Sequence, residues 1–260
     1  MCASAPSSYT HHASLPTTML EIACFTSSSA IRAFNSGADR LELCANYAAG
    51  GLTPSIDTFL EIRKHAKDIP INVMIRPRAG DFRYCAAEFE KMRHEIALFS
   101  TLASGFVFGI LDAHGHVDVA RNAELVDVAG SLPCTFHRAI DEVVDLEKGA
   151  EMVIACGFKS VLTSGGEKSA EEGAERLRQL QEKYGRDISL IAGGGVRSGN
   201  VQELKSQTGV QWVHSAAITS DDEEADGEEV KRIREVLKNI ENTASKHNDA
   251  AKDHEMADAG

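Results

Sequence analysis

Eight short runs of β-forming residues alternate with eight helical patterns along most of this 260-residue chain, and that alternation constrains the fold more than any other feature. The strand candidates are Met19–Cys24, Arg40–Leu43, Ile71–Ile75, Phe106–Ile110, Cys134–His137, Ser160–Thr163, Ile188–Ala192 and Trp212–Ser215. Helical patterns begin near Ser27, Ser55, Ala86, Asp118, Asp145, Ser169, Ser198 and Gly227. Ser55, Asp145 and Ser169 stand where an N-cap is needed, and Gly37, Gly130 and Gly157 stand where helices should stop. Strict alternation implies parallel strands, because each return to the same edge needs a crossover helix. Eight such units predict an α/β chain folded as a single (β/α)8 barrel of the TIM type. An open doubly wound sheet is the alternative topology.

The ends of the chain differ from the middle. Residues 1–17 are rich in Ser, Ala, Thr and Pro and read as a mobile leader. The barrel is assigned to residues 18–241. Residues 242–260 lack apolar periodicity and read as a disordered acidic tail. Formal net charge is -12, and the stretch from Asp221 to Gly260 holds 13 acidic against 6 basic residues. Such a balance repels nucleic acid and anionic membrane surfaces, so we expect neither as a partner. No apolar run reaches the roughly 18 residues of a membrane span. Six cysteines occur without a Cys-x-x-Cys pair, which fits a reducing compartment. We therefore expect a cytoplasmic protein, with nuclear entry left open.

Barrel enzymes place their chemistry at the C-terminal ends of the strands, so polar residues in or just past the strands are informative. Glu21 and Glu42 each sit between apolar neighbours in a strand. By alternation their carboxylates face the barrel axis. Asn72 and Arg76 share one parity on the third strand; His137 ends the fifth, with Arg138 and Asp141 after it; His214 lies on the eighth. Glu42, Arg76, His137 and Asp141 are the catalytic candidates. Glu21, Glu42 and Arg76 could instead neutralise one another as a structural ion layer. Gly193, Gly194 and Gly195 follow the seventh strand, with Asn200 beyond them. Glycines let backbone N–H groups approach a ligand, and this is where barrels often bind phosphate. With Arg78 in the long loop after the third strand, these residues form the candidate anion site. A small phosphorylated or carboxylated metabolite is the ligand class they suit. A tight turn and internal Arg–Asp pairs are the competing structural explanations.

Seven short motifs appear in order: GADRLELC (37–44), GGLTPS (50–55), VMIRPRAGDFRY (73–84), TFHRAID (135–141), LTSGG (162–166), GGGVRSGN (193–200) and TGVQWVHSAA (208–217). Together they resemble the CutC copper-homeostasis family, from about Leu20 to Ala217. The resemblance implies the barrel fold, a cytoplasmic protein concerned with the copper ion, and a homo-oligomer. It also implies copper(I) binding by two cysteines, which correspond to Cys24 and Cys44. Thiolates suit soft copper(I). Parity puts Cys44 inward with Glu42 but turns Cys24 toward the helices unless the first strand ends or twists before it.

Overall fold

The computed structural model describes residues 17–257. Its strands are β1 (Met19–Cys24), β2 (Arg40–Leu43), β3 (Ile71–Met74), β4 (Gly105–Phe108), β5 (Cys134–Phe136), β6 (Ser160–Thr163), β7 (Ser189–Gly193) and β8 (Trp212–Ser215). Its α-helices are α1 (Ser27–Asn35), α2 (Ile56–His65), α3 (Ala86–Phe99), α4 (Val119–Ala129), α5 (Leu146–Ala155), α6 (Ala174–Tyr184), α7 (Val201–Thr208) and α8 (Gly227–Ala257). All neighbouring strands pair in parallel, and β8 closes on β1. The expected single barrel is therefore the fold, and the open sheet is excluded.

Local chemistry explains the element ends. Ser55 accepts the N–H of Thr58, and Asp145 accepts that of Lys148, so each satisfies an orphan donor of its helix. Ser169 also accepts an N–H, from Glu172, but it caps an isolated turn. α6 starts only at Ala174, five residues after the expected position. The chain at Gly130 and Gly157 takes positive φ, 64° and 90°, as helix stops there require.

Side chains alternate about the sheet as the pleat demands. Leu20, Ile22, Leu41, Leu43, Phe106, Phe108 and Phe136 point outward into the layer beneath the helices and are all fully buried. The opposite parity fills the barrel with Glu21, Glu42, Asn72, Met74, Val107, His137, Leu162 and His214. Gly193 belongs to this inner set. A Cβ there would lie 2.6 Å from Leu162 Cδ1 and 3.3 Å from His214 Cβ. The residue leaves room for its inward neighbours, which is a packing reason for glycine at that position.

Two ends of the chain need comment. All of the expected leader except Thr17 lies outside the described residues. At the other end, α8 continues past Asn242, where we expect an irregular tail. Its buried stripe of Val230, Ile233 and Leu237 stops before that point. Alanine, lysine and glutamate, all good helix formers, recur in the sequence from there to Ala257. No helix among the described residues is long and apolar enough to cross a membrane.

Candidate active site at the barrel mouth

The interior begins with a charge network near the middle of the strands. Register places Glu21 opposite Arg40 on β2 and His214 on β8. The Arg40 Nε donates to Glu21 Oε2 at 2.5 Å, and its guanidinium stacks 3.7 Å from the Trp212 ring centroid. His214 Nδ1 lies 2.8 Å from Glu21 Oε1 and 3.9 Å from Glu42 Oε2. Burial alone would raise the Glu21 carboxyl, but the Arg40 charge and the His214 hydrogen bond hold it down at about 2. Burial raises the Glu42 carboxyl, against the pull of His214. Burial would lower the His214 ring, but the Glu42 and Glu21 carboxylates raise it. The structural ion layer anticipated from sequence thus exists, with Arg40 rather than Arg76 as its cation.

Above this network lies a cavity of about 170 Å3, lined by Glu42, Cys44, Met74, Arg76, His137 and His214 among others. Arg76 is 7% exposed and makes no ion pair among the described residues. Its NH1 donates to the carbonyls of Ala49, Gly50 and Gly51, and its NH2 to that of Gly80. The guanidinium ties the loops after β2 and β3 together while keeping its charge uncompensated. Phe82 covers both Arg76 and His137, each at 4.8 Å from its ring centroid. His137 Nδ1 accepts the Ala139 N–H, which leaves Nε2 to carry the proton of the neutral ring. Burial, and then the Arg76 charge, push this ring down to about 3, so it is neutral at physiological pH.

Three buried atoms of the cavity walls have no hydrogen-bond partner: Glu42 Oε2, Arg76 Nε and His137 Nε2. Buried polar groups are rarely left so, and three on one cavity mark it as the place where polar groups can take partners from outside the protein. A larger hollow of about 540 Å3 lies between α5 and α6, lined by Val144, Glu147, Lys183 and Tyr184 among others. No unpartnered buried atom among the described residues belongs to its walls. The cavity at the barrel mouth is therefore the candidate site.

The structure brings Glu42, Arg76, His137 and Cys44 to the cavity and leaves the other candidates outside it. Asp141 accepts from Arg138 Nε, Thr163 Oγ1, the Ser164 amide and hydroxyl, and the Gly166 amide. Those bonds saturate both its oxygens and make it the organiser of the β6 loop. Arg78 is spent on Asp81, Glu88 and the Arg83 carbonyl. Asn200 accepts the Arg197 N–H and donates to the Gly195 carbonyl, so it shapes the glycine loop. Gly194 lies beside the Arg138 guanidinium, and Arg138 itself lines the cavity. Residue-by-residue reading assigned no site role to Arg138, Met74 or His214, although His214 and Met74 share the inward parity of Glu42.

The two cysteines lie on different sides of the sheet. β1 runs through Cys24, which pairs with Leu43. Cys24 therefore keeps its outward parity, in the layer beneath the helices with Ser29 of α1 as a neighbour. Its Sγ donates to the Ile22 carbonyl at 3.6 Å. Cys44 points into the barrel, packs with Met74 and Val107, and donates to Glu42 Oε1 at 3.3 Å. Burial raises both thiols well above their ordinary range. The two thiols thus have different hydrogen-bond acceptors, the Ile22 carbonyl for Cys24 and the Glu42 carboxylate for Cys44.

Comparison with known proteins fits this architecture. The family protein CutC of Xanthomonas campestris pv. campestris (strain B100) is 43% identical over 199 residues, covering 76% of this chain and 82% of its own. The crystal structure of the "putative copper homeostasis protein CutC" from Streptococcus agalactiae superposes with a TM-score of 0.72 at 30% identity, covering 76% of this chain and 98% of that one. Thiamine phosphate pyrophosphorylase from Pyrococcus furiosus, at 14% identity and a TM-score of 0.56 over 85% of this chain and 96% of its own, shares the fold alone. The CutC family model matches residues 18–219, which takes in every strand and the whole cavity wall. With that match and that degree of identity, the chain belongs to the CutC family.

Proposed function

We propose that this CutC-family protein acts as an enzyme on a small anionic metabolite, a carboxylate or phosphate, held at the barrel mouth. The observation that carries this reading is the pairing of a buried, uncompensated Arg76 guanidinium with the unpartnered Nε2–H of His137 on one cavity. Both are donors, so their missing partner is an acceptor, and the unpaired positive charge favours an anion. A neutral imidazole N–H beside a fixed cation can also polarise a bound carbonyl or phosphoryl oxygen without moving a proton first. The test is binding of a panel of small carboxylates and sugar phosphates, followed by calorimetry. Arg76→Lys keeps the charge but loses the planar fork, and should weaken the binding of any hit about 10- to 100-fold. A panel without a hit, or a hit indifferent to Arg76→Lys, overturns the reading.

Family membership connects the chain with copper homeostasis, and one observation favours a second reading in that direction. Cys44 and Met74 offer a thiol and a thioether to the same cavity, both soft donors suited to copper(I) as cargo. In anaerobic titration against a competing chelator, Cys44→Ser should then abolish copper(I) binding while Cys24→Ser leaves it unchanged. Equal loss in both variants would restore the two-cysteine site that the family resemblance implies.

A further inference from the structure

The donor-rich wall of the cavity faces an acceptor-rich one, and this second wall has its own unmet demand. We propose that the barrel interior holds a divalent cation between Glu21 Oε1, Glu42 Oε2 and His214 Nδ1. One ligand atom from each of these three residues lies within 4.8 Å of the other two. Glu42 is only 3% exposed, yet its Oε2 has no hydrogen-bond partner among the described residues, and it is this oxygen that lies 3.9 Å from the imidazole nitrogen.

The outer oxygens of the two carboxylates are already anchored. Arg40 holds Glu21 Oε2, and the Cys44 thiol holds Glu42 Oε1. Each carboxylate therefore presents one oxygen to the centre in a fixed orientation, the arrangement that outer hydrogen bonds impose on metal ligands. Metal–ligand bonds of about 2.0–2.2 Å put tetrahedral ligand atoms roughly 3.4 Å apart. The observed separations from His214 Nδ1 are 2.8 Å to Glu21 Oε1 and 3.9 Å to Glu42 Oε2. They bracket that value, so shifts of about half an ångström bring each carboxylate oxygen to ligand spacing from the imidazole nitrogen. The ion takes the place of the proton between His214 and Glu21.

Charge and donor type agree. Two carboxylates against the one guanidinium of Arg40 leave a net negative site when the imidazole is neutral. Carboxylate oxygen and imidazole nitrogen suit zinc, manganese or iron(II), and not soft copper(I). Glu42 and His214 both line the cavity, so an open coordination position faces whatever occupies it. An anion held by Arg76 would there reach a Lewis acid. The cation site stands on its own geometry and does not need that ligand.

The test uses the full-length chain stripped with a chelator and titrated separately with Mn2+ and Zn2+. We expect one tight site per chain, read by calorimetry and by loss of the free Mn2+ paramagnetic signal, and a raised melting temperature on binding. Glu42→Gln keeps shape and removes the charge, and should weaken binding 100-fold or more. Arg76→Lys should leave it unchanged, which separates this proposal from the anion-binding one. Absence of binding and of a melting shift in the wild type overturns the proposal. So does a site that Glu42→Gln leaves intact, since the ion would then sit elsewhere.

Discussion

Replacing Arg40 with alanine is expected to cost about 3–5 kcal/mol of folding free energy, because it strands a buried carboxylate. Glu21 is fully buried, and Arg40 is its short ion-pair partner at 2.5 Å. The pair gains little against an apolar alternative, since both ions were taken out of water. Breaking it is another matter, because the remaining charge keeps its desolvation cost and loses its compensation. Arg40 also covers Trp212, so its removal exposes the ring and leaves a gap at the base of the barrel. Urea denaturation at neutral pH measures the loss. The double variant Glu21→Leu, Arg40→Leu separates the two causes. If stranding of the carboxylate dominates, the double variant recovers most of the stability. If it remains as weak as Arg40→Ala, lost packing dominates instead. A loss under about 1 kcal/mol in the single variant would mean that His214 alone suffices to hold Glu21.

Much of this arrangement could be read from the chain. Alternation of strand and helix patterns predicted the barrel. Parity within strands put Glu21, Glu42, Asn72 and Arg76 inside, where all four are buried. Parity also turned Cys24 away from Cys44, and β1 runs on through Cys24. What parity cannot supply is register. Glu21 meets Arg40 and His214 only because the barrel staggers its strands, and that stagger depends on closure of the whole sheet. For the same reason, the expected Glu–Arg76 neutralisation gave way to a pair with Arg40. Loop conformation was the other hidden quantity. Arg76 is occupied by carbonyls because Gly50 and Gly51 take positive φ, 76° and 87°, and turn their oxygens toward it. Asp141 and Asn200 looked like site residues because they follow strands. They are instead consumed in holding the loops that shape the mouth, a use that the same residue types serve equally well.

The His137 ring should make the protein lose about 4 kcal/mol of stability between pH 6.5 and 3. Burial and the nearby Arg76 hold the folded-state value at about 3, against 6.5 for the unperturbed ring. The unfolded chain therefore binds the extra proton first. Stability from this group is complete above pH 6.5 and is lost progressively as pH falls toward 3. The upper part of that window is the most informative. From pH 6.5 to 5 the ring alone should cost about 2 kcal/mol, whereas the depressed Glu21 carboxyl begins to lose its contribution only below its ordinary 4.5. Comparing urea denaturation of the wild type and His137→Leu across this range cancels the groups common to both. The variant gives up the cap on the Ala139 N–H and is expected to be weaker at neutral pH. Its decline from pH 6.5 to 5 should nevertheless be shallower by about 2 kcal/mol. Parallel curves would mean that the ring gains its proton in the folded barrel at an ordinary pH. An imidazolium there would stand beside Arg76, and the neutral N–H donor on which the anion-binding reading depends would be gone.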